Sequence, residues 1–250
     1  MNSIGSNQVE FEPTNKTKEK DNMKTISKAV AVASLISAGF IGTQAHAVEV
    51  SASAGVSNMY LWRGQNLGQV TDDNGDTTTA GVPAVFGDVV VSMGGLYAGM
   101  WTSSGDALGG QEYDLFVGYG GEAGDFSYDV NVATYIYPDG GTNDGTFGDS
   151  SEVIATVGFM GASVGVYKQV GDVADNDDIY YALGYGMGPV SATYGMADAG
   201  AEDADFAHFD VTYAYNDSLS FTASKIVSEE EEDTYDTDTK IQVTYSLPIE

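Results

Sequence analysis

The residues that could do chemistry in this sequence include only one histidine after position 47, His208. Hydrolysis by an activated serine needs such a base within hydrogen-bond reach of the nucleophile. His208 lies in an alternating segment, where residues two apart share one face of a strand, so it shares a face with Asp210 and lies opposite Phe209 and Val211. The imidazole is then on the inward, polar face, whereas a lipid hydrolase needs its nucleophile on the apolar face. We therefore predict a hydrogen-bonded interior residue and no catalytic residue.

Arg63 is the only arginine of the sequence, and it follows Tyr60 and Trp62. Two interpretations are open for a lone cation in this setting. It could lie near a pore mouth, meet carboxylates there and shape ion selectivity. Alternatively, it could anchor the protein at a membrane interface, with Tyr60 and Trp62 in an aromatic girdle. Further residues expected in such a girdle are Trp101, Tyr119, Tyr185 and Tyr215.

Four carboxylates fall on the polar faces of alternating segments: Asp114, Asp129, Glu152 and Asp210. With Arg63 and His208 they are our candidates for residues that line a pore or its rim. No pair stands out as the two carboxylates of a glycosidase, because in so acidic a chain most carboxylates are expected to be solvated.

Residues 71–76, with the sequence TDDNGD, partly resemble a calcium-binding loop. They lack the one-three-five ligand spacing and the bidentate glutamate at position twelve of such loops. We therefore predict no cofactor and no dedicated metal site, but weak binding of divalent cations by acidic loops.

Residues 23–47 have the three parts of a secretory signal peptide. Lys24 and Lys28 provide the positive region, residues 29–42 form an apolar run too short to span a bilayer, and residues 45–47 form a small-x-small cleavage site. We predict cleavage after Ala47. Residues 1–22 are interpreted as an upstream extension, either disordered or due to a mis-assigned start. Residues 48–250 are then one exported domain.

Charge and composition narrow the function classes for residues 48–250. This part has four basic and 33 acidic residues, a field that repels nucleic acid and attracts cations. The sequence has no cysteine, so an exported fold must be stable without disulfides. Residues 48–250 contain 26 aromatic residues, mostly in alternating segments, which argues against disorder. Acidity alone would also fit a halophilic soluble protein.

Period-two alternation recurs in segments of about 8–12 residues, as expected for strands with one apolar face. For example, Val153 and Val157 alternate with Glu152 and Ile154. We predict twelve strands, at residues 50–62, 85–93, 96–102, 111–120, 126–137, 152–159, 162–170, 178–187, 190–196, 206–215, 219–227 and 240–247.

The links between these strands alternate between short and long. The short links are residues 94–95, 121–125, 160–161, 188–189 and 216–218, and the long links are residues 63–84, 103–110, 138–151, 171–177, 197–205 and 228–239. This rhythm places all long links at one end of an up-and-down meander, as in outer-membrane barrels, and is not expected of a Greek-key sandwich. The long links contain 21 of the 33 acidic residues, which keeps charge off a lipid-facing wall.

An open sheet edge would leave backbone groups unpaired in hydrocarbon. We therefore predict an all-β fold, a closed antiparallel up-and-down transmembrane β-barrel of about 12 strands.

Several stretches resemble the TorF porin family. Residues 60–64 (YLWRG) are similar to its tyrosine-x-aromatic-arginine-glycine element, and the likeness continues in residues 83–85 (PAV), 95–101 (GLYAGMW), 112–119 (EYDLFVGY) and 124–130 (GDFSYDV). The resemblance covers about residues 51–138 well and the remainder only by strand rhythm. It implies an outer-membrane barrel more firmly than any solute.

The function expected from these features is an outer-membrane channel for passive diffusion of small hydrophilic solutes, favouring cations or neutral molecules. A twelve-stranded barrel is wider than the filled eight-stranded ones and narrower than large porins, and few basic residues would face its lumen. The alternative is a non-conducting surface protein whose acidic loops bind cations, lipopolysaccharide or a partner. Bulky residues on the predicted lumen face that could occlude it are Phe116, Tyr135, Tyr137, Tyr167 and Tyr180.

A third hypothesis is an outer-membrane hydrolase that depends on His208. The partners we expect are outer-membrane lipid, lipopolysaccharide and small solutes, with no nucleic acid. An oligomer is compatible with the sequence.

Overall fold

The computed structural model describes residues 48–69, 81–107, 109–138, 147–171, 178–200 and 204–249. The predicted signal peptide and residues 71–76 lie outside this part of the chain. The strands are β1 (Glu49–Ser57), β2 (Leu61–Trp62), β3 (Gln65–Asn66), β4 (Ala84–Met93), β5 (Leu96–Asp106), β6 (Gly110–Ala123), β7 (Phe126–Ile136), β8 (Ser150–Phe159), β9 (Ala162–Val170), β10 (Ile179–Met187), β11 (Val190–Asp198), β12 (Phe206–Ala214), β13 (Leu219–Glu229) and β14 (Lys240–Ile249). Within these ranges no helix is long and apolar enough to cross a membrane, a finding that concerns helices alone.

Twelve of these strands close into one barrel, while β2 and β3 form a separate small hairpin. Each barrel strand pairs antiparallel with its neighbours along the chain, and β1 pairs with β14 to complete the ring, with Gly55 opposite Ser246. The predicted closed, antiparallel, up-and-down barrel of twelve strands is therefore confirmed. Barrel strands of 9–14 residues match the length needed to cross hydrocarbon at a tilt.

The predicted tight links between neighbouring strands are confirmed, and the backbone angles of their residues explain the turns. Gly94 and Gly95 both have positive φ, as do Met160 and Gly161, which is the backbone of the two-residue turns that match strand twist. The link predicted at residues 121–125 is shorter than expected, because β6 continues to Ala123 and only two residues separate it from β7.

Two other predicted boundaries are wrong. The third strand was expected to end at residue 102, but β5 continues to Asp106 through a shift in register after Ser103, so its link to β6 is short as well. The first strand was expected to reach residue 62, but β1 ends at Ser57. Asn58 then donates to Val243 of β14 and accepts from it. The chain next turns into the barrel, where the side chains of Tyr60 and Arg63 bond to inward carboxylates.

The two faces of the barrel wall have opposite chemistry. Outward residues are apolar and exposed, as for Val117 (53%) and Leu183 (48%), whereas inward neighbours such as Phe116 are buried. Outward aromatic rings gather near the tight turns, where Phe126 stacks on Phe159 with centroids 4.4 Å apart. An apolar exterior on a closed barrel is compatible with an outer-membrane location.

The girdle expected from the sequence is only partly outward. Tyr119, Tyr185 and Tyr215 lie on the exposed face. Trp101 instead faces the lumen, where its ring centroid lies 5.9 Å from that of Tyr60 and it packs against the buried Tyr97 cluster. The five bulky residues predicted on the lumen face do lie on the inward face: Phe116, Tyr135, Tyr137, Tyr167 and Tyr180.

Candidate functional site

Residues 58–69 fold into the barrel, and we call them the inturned segment. The β2–β3 hairpin within it pairs Leu61 with Asn66 and Trp62 with Gln65. Arg63 and Gly64 form its two-residue tip, with φ values of 46° and 80°. Two successive left-handed residues are what the commonest tight hairpin turn requires, and glycine adopts this backbone at little cost.

The tip of the inturned segment lies against the far wall. In the ring, β9 is the sixth strand from β1 in either direction, so β8, β9 and β10 face the point where the segment begins. Arg63 contacts side chains on all three of these strands. A Cβ on Gly64 would lie only 2.5 Å from the Cβ of His208. The segment therefore crosses the lumen.

Arg63 is held by charge and by aromatic rings. Its Nη2 lies 2.7 Å from both carboxylate oxygens of Glu152 on β8, and the hydroxyl of Tyr135 donates to the same carboxylate at 2.7 Å. The guanidinium carbon is 4.2 Å from the ring centroid of Tyr180 and 4.4 Å from that of Trp62. Of the two interpretations of Arg63, the structure supports the lumen position and not the outer girdle.

Glu112, on β6, is a second buried carboxylate beside the inturned segment. Tyr60 donates to its Oε2 at 2.5 Å and Tyr137 donates to its Oε1 at 2.8 Å. Glu112 is not among the sequence-predicted candidates, although it lies two residues before Asp114 and therefore shares that residue's inward face. It lies near the start of β6, next to residues that were expected to form a long link, so it was not assigned to the strand interior.

Asp114 is fully buried, with 0% of its surface exposed. Neither of its carboxylate oxygens accepts a hydrogen bond from any residue that the structure describes. It interacts electrostatically with Glu112 and Glu152, both of the same sign. Burying a carboxylate without hydrogen-bond donors costs folding free energy. Asp114 is therefore a candidate for a functional residue.

The remaining candidates form two separate clusters. Asp129 accepts hydrogen bonds from Tyr97 at 2.7 and 2.9 Å and from Asn131 at 2.7 Å. This cluster belongs to the lumen wall, deeper than the inturned segment.

His208 lies in the other cluster and is 1% exposed. Its Nε2 is 2.8 Å from the Tyr180 hydroxyl and its Nδ1 is 3.0 Å from Asp210. The predicted inward, hydrogen-bonded position of His208 is confirmed, with Asp210 as one of its partners. Tyr180 links this cluster to Arg63, because its ring stacks on the histidine ring and also faces the guanidinium. Both ring nitrogens therefore have partners.

Lys240 is the second cation buried on the inward side. Its Nζ donates to the backbone carbonyls of Asp236 and Asp238 at 2.5 and 3.2 Å and lies 3.5 Å from the Asp236 carboxylate. Gln69, at the end of the inturned segment, donates to that carboxylate at 2.6 Å. Burial acts to raise the pKa of Asp236, but the Asp238 N–H, the Gln69 amide and the Lys240 ammonium together hold it below its ordinary value.

A cavity of about 200 Å³ lies between the inturned segment and the wall, at the long-link end of the barrel. Its lining includes four aromatic side chains and two carboxylates: Tyr60, Trp62, Tyr135, Tyr137, Glu112 and Glu152. Mostly aromatic walls with a few converging polar groups are typical of small-molecule sites. No cluster of three or more potential metal ligands occurs among the described residues.

The chain belongs to a bacterial family described as proteins of unknown function (Gcw_chp), whose model matches residues 41–245. No curated protein matches the chain. The match covers the inturned segment and every barrel strand but the end of β14, so the geometry above is that of a member of this family.

Proposed function

We propose that this barrel lies in the bacterial outer membrane and admits small hydrophilic solutes, with a preference for cations or neutral molecules. The location is supported by the closed ring and by its exposed apolar exterior. Lys168 and Lys225 support it further, since both lie on the outward face near the long-link ends, where their ammonium groups would reach lipopolysaccharide phosphates. The resemblance to the TorF porin family agrees with this proposal.

The observation that carries the solute preference is the charge of the lumen. Glu112, Asp114, Asp129 and Glu152 are buried on the inward wall, and Arg63 compensates one of them. A ring of carboxylates attracts cations and repels anions. Because the inturned segment crosses the lumen, we expect conduction to be low until that segment moves.

A second candidate is a non-conducting surface protein, and the inturned segment itself favours it. Arg63 and Tyr60 bind the segment to two different strands of the wall, and Gln69 binds it to the link between β13 and β14. If these contacts never break, the acidic long links remain as the functional surface. The hydrolase hypothesis stays a prediction, with less support because both nitrogens of His208 are bound to Tyr180 and Asp210.

Planar-bilayer conductance of the purified protein, in a potassium chloride gradient, tests the proposal. The wild type should give small or rare openings, and Arg63→Ala should give larger and more frequent ones with a reversal potential that favours potassium. Anion preference would reject the proposed selectivity. Silence of both proteins, with correct insertion shown by protease protection, would favour the non-conducting candidate.

A further inference from the structure

The cavity beside the inturned segment is lined by two carboxyl groups, and a cation contacts only one of them among the residues that the structure describes. Glu112 and Glu152 line it, and Asp114 lies one inward position further along β6 from Glu112. Arg63 neutralises Glu152 through two contacts of 2.7 Å. Glu112 accepts hydrogen bonds from the phenolic hydroxyls of Tyr60 and Tyr137, which carry no charge, and its further neighbour is the Asp114 carboxyl group.

Asp114 adds a second and independent observation. It is fully buried, and both of its oxygens lack a donor among the described residues. Asp114 interacts electrostatically with Tyr60, Tyr135 and Tyr137, which are three of the aromatic side chains of the cavity wall. Asp114 does not line the cavity itself, but it lies behind the wall and acts electrostatically on side chains that do.

We propose that this cavity is a binding site for a primary ammonium group on a small organic solute. The ammonium would lie at Glu112, with its charge also offsetting Asp114, and the carbon chain would lie among Tyr60, Trp62 and Tyr137. A primary ammonium has three N–H donors, which suits the Glu112 carboxyl group, because its hydroxyl donors Tyr60 and Tyr137 carry no charge. A quaternary ammonium has no N–H donor. Aromatic rings add attraction for a cation that is removed from water.

The size of the cavity limits the solute. Liquid water occupies about 30 Å³ per molecule, so 200 Å³ has room for a short alkylamine or the amino end of a longer solute. This inference deepens the proposed cation preference and rests on it in one respect: the solute must reach the long-link end of the barrel. Binding itself does not require conduction.

Trp62 provides a local signal for binding, because the sequence has only two tryptophans and Trp62 lines the cavity. In a Trp101→Phe background, the full-length protein in detergent would be titrated with n-propylammonium, n-propanol and tetramethylammonium at constant ionic strength. We expect saturable fluorescence change with propylammonium, none with propanol, and at least tenfold weaker binding of tetramethylammonium.

Variants then locate the site. Glu112→Gln should weaken propylammonium binding at least tenfold, while Asp88→Asn should leave it within twofold. Asp88 is a matched control, since it is an inward carboxylate on β4 that bonds to Ser53 and does not line the cavity. If Glu112→Gln fails to fold, Ser150→Phe, which fills the cavity from β8, should abolish binding.

Three results would overturn the inference. They are equal response to propanol and propylammonium, unchanged affinity in Glu112→Gln or Ser150→Phe, and tetramethylammonium binding as tight as that of propylammonium. A protein that binds propylammonium but never conducts would reject the channel proposal and leave this site intact. A conducting protein that does not bind it would reject the site alone.

Discussion

Nη2 of Arg63 lies 2.7 Å from both carboxylate oxygens of Glu152, so one ion pair joins the tip of the inturned segment to the far wall of the barrel. The two side chains are 14% and 5% exposed, and Tyr180 and Trp62 cover the guanidinium. Burial makes this pair sensitive to the loss of either partner, because the remaining charge is then buried and uncompensated.

Arg63→Ala should therefore destabilise the barrel by roughly 3–5 kcal/mol, since it leaves Glu152 buried and uncompensated. The double variant Arg63→Met with Glu152→Leu should lose much less, because it removes both charges together. Urea unfolding in detergent, followed by circular dichroism, measures both. Equal stability of Arg63→Ala and wild type would show that the pair does not hold the segment.

Gly64→Ala should destabilise the inturned segment in two ways, by backbone strain and by a steric clash with His208. Gly64 has a φ of 80° and an added Cβ would meet His208 at 2.5 Å, so we expect a loss of about 1–3 kcal/mol. Gly186→Ala is the matched control: an added Cβ there meets nothing within 4 Å, and the change should be within about 0.5 kcal/mol. The chain has no cysteine, so labelling of an introduced Ser57→Cys would report release of the segment. Similar labelling in both glycine variants would contradict this assignment.

The barrel was predictable from the sequence because a strand alternates its faces with a period of two. That period correctly placed His208, Asp114 and Glu152 inward and Val117 outward. The turns were predictable for a similar reason, since Gly94-Gly95 and Gly188-Pro189 are strong local signals.

The inturned segment was not predictable in the same way. Tyr60, Leu61 and Trp62 continue the alternating pattern of β1, so periodicity extends the strand past Ser57. What ends the strand is tertiary: Tyr60 bonds to Glu112, which lies 52 residues later in the chain, and no local pattern encodes that partner. The Arg63-Gly64 pair carries the only local sign of a turn.

Acidification should loosen the end of the inturned segment. The pKa of Asp236 is lowered despite partial burial, because the Asp238 N–H, Gln69 and Lys240 favour its charged form. A lowered pKa in the folded state means that the stabilisation is present above the ordinary aspartate pKa of about 3.9 and is lost as pH falls through the folded value below it.

Comparison of Asp236→Asn with wild type tests this linkage. The variant should melt at lower temperature than wild type at pH 7, and the difference should disappear toward pH 2. Gln69→Leu removes one donor to the carboxylate and should show a smaller difference with the same pH dependence. A difference that persists unchanged at pH 2 would contradict the assigned contacts.

If a bilayer surrounds the barrel, a charge introduced on its outward face should reduce folding stability. Val117 lies near the middle of β6 with 53% of its surface exposed. Val117→Arg should reduce folding stability in lipid vesicles by about 2–4 kcal/mol, the cost of a cation at the bilayer midplane. Glu231→Arg, on the exposed long link before β14, should change stability by less than about 0.5 kcal/mol. Urea titration of vesicle-folded protein measures both variants. If Val117→Arg instead left stability unchanged and kept the protein in solution without detergent, the exterior would face water, and the proposed outer-membrane location would be wrong.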